Sequence, residues 1–370
     1  MNKQNPALLA GLAIIILLSS CSKDDDNNIP VYTIPTTYTF DNVDFKESAA
    51  RISMWNGYQG ILGKSNVRQL SQDTINYLWN NTNQAYTAET TSNTPYDHTV
   101  LNTLAYNLAG KTADAPTFKA LADSTVKVSQ YYNTTASKGV AGKIGTRLVN
   151  YKGLEFNQAV AKGLMGSLSL YNIIAILDKI PTDDNNTVVA GTGTAMQHNW
   201  DVAFGYVGIP KDYDSAYDYR TVPVKADRPL GLGSYFFERG KFIQSGGRVF
   251  EAFRKGRAAI GAKDYAVRDA AIATIKEYLE KTLAAAAYHY VTSPQTQTAL
   301  DSKFHSLSEG YGFVLALKYR PVNSPLTAAN YQKLLDIVNT DFYDLKDDAA
   351  NTKLKEAQSI LTTAYGKLQP

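Results

Sequence analysis

The sequence predicts a mostly α protein, a helical bundle with length enough for two related bundles packed together. Three observations carry this expectation. Apolar residues recur at steps of three, four and seven through most of the chain from Val43 onward. Alternating polar and apolar runs, the mark of half-buried strands, are scarce. And one long amphipathic stretch, residues 264–291, keeps Val267, Ala271, Ile275, Leu279, Leu283, Ala286 and Tyr290 on a single stripe.

The first 20 residues read as a targeting segment outside the fold. A short polar start with one cation, Lys3, leads into an apolar run from Ala7 to Leu18, broken only by Gly11. That run is too short to span a bilayer, which takes about 20 apolar residues. It ends in Leu18-Ser19-Ser20-Cys21, a lipobox: an apolar residue, two small ones that fit the peptidase, and a cysteine whose thiol receives the lipid. Cys21 is the only cysteine, so it has no disulfide partner within the chain. Lipidation of Cys21, and a membrane partner through that lipid, is the expectation; the alternative is an ordinary signal peptide followed by an incidental cysteine. The acidic run Ser22-Lys23-Asp24-Asp25-Asp26-Asn27-Asn28 then forms a solvated tether. It resembles the export signal that sends Bacteroidetes lipoproteins to the outer face of the outer membrane, which implies display at the cell surface.

Residues 21–40 thus read as anchor and tether, with Pro30 and Pro35 keeping the chain extended. Residues 41–370 form the helical domain. Helices are expected over residues 45–55, 70–88, 98–108 and 117–134. Residues 153–177 form the strongest helix of the first half, with Gly163, Gly166 and Ser167 inside it. Glycine costs a helix about 1 kcal/mol relative to alanine, so small residues there suggest close approach of a second helix. The polar, Gly-rich stretch 183–194 is the candidate boundary, with two halves meeting near 180–195. A Tyr- and Asp-rich irregular stretch follows over 210–229. Helices resume at 234–238, 241–260, 264–291, 304–317, 328–342 and 349–366.

Removing the first 20 of 370 residues leaves 350, enough for one large domain or two packed intimately. The formal charge is +3 and the removed segment carries only Lys3, leaving +2. So weak a balance, without a basic stripe, argues against a nucleic-acid partner. Beyond the leader, no second segment is expected to be long and apolar enough to cross a membrane. The 25 tyrosines, against 13 Phe and 3 Trp, suit half-buried helical surfaces, or a face that binds a glycan or protein.

Phosphate loops, zinc-protease, serine-hydrolase and paired-cysteine motifs are absent. What remains are histidine–carboxylate pairs. His198 and Asp201 are three apart, and His305 and Glu309 four apart, so each pair shares a helix face. Such pairs can chelate one metal, or simply hydrogen-bond. Glu155, opening the 153–177 helix, is a third carboxylate for a site built between helices, or a partner of the helix dipole. A shared metal site over His198, Asp201, His305, Glu309 and Glu155 would take a divalent metal or iron, since these ligands suit iron, zinc and manganese alike. The basic end of residues 250–260 places cations at a helix C-terminus, with an anionic substrate as the alternative.

Four segments together resemble the DUF4856 family of Bacteroidetes lipoproteins: Gly153-Leu154-Glu155-Phe156-Asn157-Gln158 with Lys162-Gly163-Leu164-Met165-Gly166; His198-Asn199-Trp200-Asp201 with Ala203-Phe204-Gly205-Tyr206; Lys255-Gly256-Arg257-Ala258-Ala259-Ile260; and His305-Ser306-Leu307-Ser308-Glu309-Gly310-Tyr311. The resemblance runs from about residue 36 to the C-terminus. More distantly the chain is similar to imelysin-like proteins, which implies a fold of two related helical bundles and a link to iron or haem uptake. Some imelysin-like proteins carry a GxHxxE motif and were described as metallopeptidases. Here the corresponding stretch is His198 to Asp201, with Met196 at the glycine position and aspartate as the final acid. The expectation is therefore a surface binding lipoprotein of an iron, metal or haem acquisition system. The alternatives are an imelysin-type metallopeptidase, and a glycan- or partner-binding lipoprotein beside an outer-membrane transporter.

Overall fold

The computed structural model describes residues 31–92, 94–221 and 228–369. The expected leader, the expected lipidation site Cys21 and the expected acidic tether lie outside these residues. The described chain is mostly α, as the periodicity predicts, and its sole sheet is a two-stranded hairpin, β1 (Gly142–Ile144) with β2 (Arg147–Val149).

The spine is α10 (Tyr265–Thr292), 28 residues and so about 42 Å long. Asp264 caps its start by accepting from the Val267 amide. Two helices pack along it: α9 (Ser245–Ala262) and α11 (Leu300–Ala316). The far side of α11 packs on α5 (Phe156–Leu164). The chain continues from α5 through a π-helical stretch, Met165–Leu170, into α6 (Tyr171–Leu177). α7 (Ala195–Val207) starts at a capping box between Thr194 and Gln197 and packs on α6, α9 and α1 (Lys46–Gly63). α4 (Ala115–Ser129) covers α5, while α12 (Ala328–Val338) and α14 (Thr352–Tyr365) close over α11 and α10.

One contiguous core runs from Tyr38 to Leu368. A small satellite under the hairpin holds Phe304, Phe342, Tyr343 and Leu354. The 183–194 loop does not divide the molecule into separate cores, because α6 before it packs on α7 after it and α5 packs on α11.

Several expected helices are shorter than their apolar pattern. The 70–88 helix ends at Asn80, because Asn81 turns left-handed (φ 51°). The Asn81 side-chain amide donates to the carbonyls of Leu101, Leu104 and Tyr106. Carbonyls drawn into that fan cannot all serve a helix, and the expected 98–108 helix survives only as His98–Leu101. The 241–260 helix begins at Ser245, after a left-handed Gln244. The helix Phe156–Thr182 also corrects an expectation. By length and mean hydropathy (1.5) it could cross a membrane, yet 72% of its apolar window is buried in this fold, as expected of a core helix apolar on all sides.

Candidate functional site

Three of the five predicted site residues meet between α5 and α11. Glu155 sits just before α5, its side chain fully buried and its amide donating to Ser308 Oγ at 2.9 Å. Its Oε1 lies 2.9 Å from His305 Nδ1. An ionised carboxylate can only accept, so Nδ1 donates to it and Nε2 faces away from Glu155. One turn along α11, Glu309 Oε1 lies 3.7 Å from that Nε2. The ring is about a quarter exposed (23%), so the pair is within reach of solvent.

Two cations complete the cluster. Lys162 Nζ is 3.0 Å from Glu309 Oε1 and 5.4 Å from the centre of the Tyr235 ring. Burial pushes the Glu309 carboxyl up, but Lys162, with help from Tyr290 and His305, outweighs burial and holds it below its usual range. Burial likewise opposes the charge on Lys162, and Glu309 restores it, so the lysine ends above its ordinary value. Arg147, from the hairpin, stands 4.0 Å from Glu155 Oε2. That oxygen is buried and has no hydrogen-bond partner among the described residues.

A metal bound by one imidazole nitrogen and one carboxylate oxygen holds them about 3.4 Å apart at a tetrahedral angle. The 3.7 Å gap is close to this, and the Glu155–His305 bond is the kind that orients metal-ligating histidines. Against this, Lys162 already occupies the Glu309 oxygen, and no group of three or more His, Cys, Asp or Glu among the described residues is placed to hold an ion. Among the described residues the cluster is thus two linked pairs, Glu155 with His305 and Glu309 with Lys162, around one partly exposed imidazole.

Asp201 has a different setting, on α7 against α9. Its side chain is fully buried, and Oδ1 accepts from Tyr38 Oη at 2.7 Å and Arg257 Nε at 2.9 Å. Arg257 also donates to the Asp41 carbonyl, and the Tyr38 ring stacks on Phe204 at 3.8 Å. Burial pushes the Asp201 carboxyl up to about 6, against the pull of Arg257 and Tyr38. His198, one turn earlier, is half-buried with its Nδ1 unpartnered among the described residues. The five expected ligands thus fall into two groups. Asp201 is taken up by an arginine and a tyrosine that clasp the N-terminal segment to the body, on a helix that packs away from α11.

The Tyr-rich stretch lines a third feature. Tyr213 is buried and stacks on Tyr219 at 5.5 Å, while Tyr217 is 45% exposed and meets Tyr219 in a T-shaped pair. Tyr213 lines a groove of about 890 Å³, whose polar walls include Asp212, Asp214, Arg248, Glu251 and Arg254.

A family model described as "Domain of unknown function (DUF4856)" matches residues 35–367. The chain belongs to the DUF4856 family. No curated protein and no solved structure matches it. In this DUF4856 chain the four motif segments pair off in space. The segments containing Glu155–Lys162 and His305–Glu309 build the first cluster. Those containing His198–Asp201 and Lys255–Ile260 build the clasp, where the Trp200 indole also donates to the Phe253 carbonyl. Sequence reading missed Lys162, Arg147, Tyr38 and Arg257 as members of these sites. Lys162 and Arg257 stood inside the motif segments, so their signal was available. Tyr38 and Arg147 lie in irregular or hairpin chain, where no periodicity marks them.

Proposed function

We propose that this DUF4856 protein is a lipid-anchored binding protein of the bacterial surface, taking a metal ion that arrives with ligands of its own, at His305 Nε2 and Glu309. The observation that carries the reading is the 2.9 Å bond between His305 Nδ1 and Glu155, which turns the ring so that Nε2 lies 3.7 Å from a second carboxylate, Glu309, at a partly open site. Lys162 holds Glu309 as its counter-ion at 3.0 Å, so a bound ion would displace that ammonium from Glu309. Iron or haem uptake is the physiological setting this chemistry suits best. A peptidase role is less well supported, because hydrolysis at zinc needs three protein ligands and a water.

Metal content tests this directly. The chain from Ser22 onward keeps every core residue and can be loaded with ferric citrate, then freed of excess and measured by elemental analysis. We expect near one equivalent of iron, lost in His305→Ala and in Glu309→Gln, and held more tightly in Lys162→Met. Equal iron in wild type and His305→Ala would overturn the proposal.

A second reading rests on a separate observation, the polar groove lined by Tyr213 and the exposed Tyr217 in the same tyrosine-rich stretch. Aromatic faces flanked by carboxylates and arginines suit oligosaccharide or peptide ligands. Such a ligand would leave the iron measurement unchanged between wild type and the histidine variant.

A further inference from the structure

Helix α9 opens onto the groove of about 890 Å³ with the run Ser245-Gly246-Gly247-Arg248. Its 18 residues start without a side-chain cap and without an acid in the first turn, so the positive end of the helix dipole is uncompensated. The Gly246 and Gly247 amides make no hydrogen bond among the described residues. A Cβ on Gly246 would collide with the Tyr213 hydroxyl, and one on Gly247 would lie 3.0 Å from the Ser215 hydroxyl. Glycine at both positions thus brings two hydroxyls against bare backbone. Tyr213 is only 6% exposed, yet its hydroxyl makes no hydrogen bond among the described residues. Burial raises that hydroxyl above its ordinary value, so it stays protonated and able to donate. A donor so deeply buried costs free energy unless something accepts from it. Lys241 and Arg248 line the same groove, and neither lies within ion-pairing distance of a carboxylate among the described residues. Each rests on an aromatic ring, Arg248 5.0 Å from the centre of Tyr278 and Lys241 5.2 Å from that of Phe242, contacts that leave the charge uncompensated. Of the three acids on the walls, Glu251 is paired with Lys255, and Asp212 and Asp214 belong to the segment that carries Tyr213 rather than to α9.

We propose that the start of α9 binds a tetrahedral oxyanion, the phosphate or sulfate of a sugar ester, on the Gly246 and Gly247 amides, the Tyr213 hydroxyl, Lys241 and Arg248. Amides and dipole act together at such a helix start to favour an anion. A carboxylate offers two acceptor oxygens to this set of donors, whereas a phosphate or sulfate ester offers three. Asp212 and Asp214 accept from the hydroxyls of the sugar body. The inference rests on the reading of this groove as an oligosaccharide site and names the group that one end of it takes. It does not depend on the cluster at His305.

The test uses the chain from Ser22 onward and isothermal titration calorimetry with glucose 6-phosphate and glucose 6-sulfate, beside glucose and maltohexaose as uncharged probes. We expect saturable one-to-one binding of at least one ester, at least tenfold tighter than either uncharged sugar, and the tighter ester identifies the anion. The double variant Lys241→Gln with Arg248→Gln should lose at least tenfold in ester binding; both side chains are exposed, so it should fold normally. Tyr213→Phe removes a hydroxyl that holds nothing in the fold, so it should keep the wild-type unfolding midpoint while weakening ester binding at least threefold. Absence of saturable binding of both esters, or ester binding unchanged in both variants, would overturn the assignment. Glucose or maltohexaose bound as tightly as the esters would also overturn it, while leaving the groove as an oligosaccharide site.

Discussion

At the scale of single residues, the chemistry is decided by what each charged group meets on burial. Asp201 and Arg257 are both nearly inaccessible and share a 2.9 Å contact. Removing one partner of such a pair leaves the other charge buried alone, at a cost of about 3–5 kcal/mol. We expect Asp201→Ala to lower stability by that amount in urea unfolding. The double variant Asp201→Leu with Arg257→Met should recover most of the loss, since well-packed apolar replacements of buried pairs are often neutral. A loss below about 1 kcal/mol in the single variant would mean the clasp contributes little. His289 gives a pH prediction of definite sign. Burial, aided by Arg239, lowers its pKa from 6.5 to about 4. The folded protein therefore holds the neutral imidazole, and the unfolded chain binds the extra proton between those values. Its contribution is present above pH 6.5 and fades as pH falls toward 4. Urea midpoints measured from about pH 7 to about pH 4.5 should fall more steeply in wild type than in His289→Gln, and parallel slopes would remove the histidine from the account.

At the scale of elements, small residues set how closely helices approach, and that distance builds the site. A Cβ on Gly312 would lie 2.6 Å from the Lys162 Cβ and 3.0 Å from the Gln158 carbonyl. The glycine thus lets α11 settle onto α5 at the separation that brings Glu309 to Lys162. Gly166 has the same role within the π-helical stretch, where a Cβ would fall 2.3 Å from the Ala316 carbonyl. The small residues noted in the 153–177 stretch therefore mark close helix approach, as their cost in a helix suggests. Gly312→Ala should destabilise by about 1–3 kcal/mol through overpacking. Gly60→Ala, in α1 with nothing within 4 Å of the added carbon, should instead stabilise by about 0.5–1 kcal/mol through propensity alone. Thermal or urea unfolding of the two variants side by side reads out the difference. A stabilised Gly312→Ala protein would show that the α5–α11 gap is not tight.

At the scale of the whole molecule, the sequence by itself determined that the chain is helical, roughly where its long helices lie, and which segments carry the DUF4856 resemblance. It did so because helix periodicity is local: the stripe from Val267 to Tyr290 needs no partner to be recognised. Of the candidate site, it picked out Glu155, His305 and Glu309 by residue type and by the four-residue spacing on one helix. What it could not decide was which pairs share a site. His198 with Asp201 and His305 with Glu309 have equivalent spacing on their own helices, and nothing local separates a half-open imidazole–carboxylate pair from an aspartate enclosed by Arg257 and Tyr38. Those partners come from 56 and 163 residues away. Only the tertiary structure decided them, because burial and long-range pairing arise from which helix faces meet. The same holds for the single core, since the polar 183–194 loop looks like a boundary until α6 and α7 are seen packed across it.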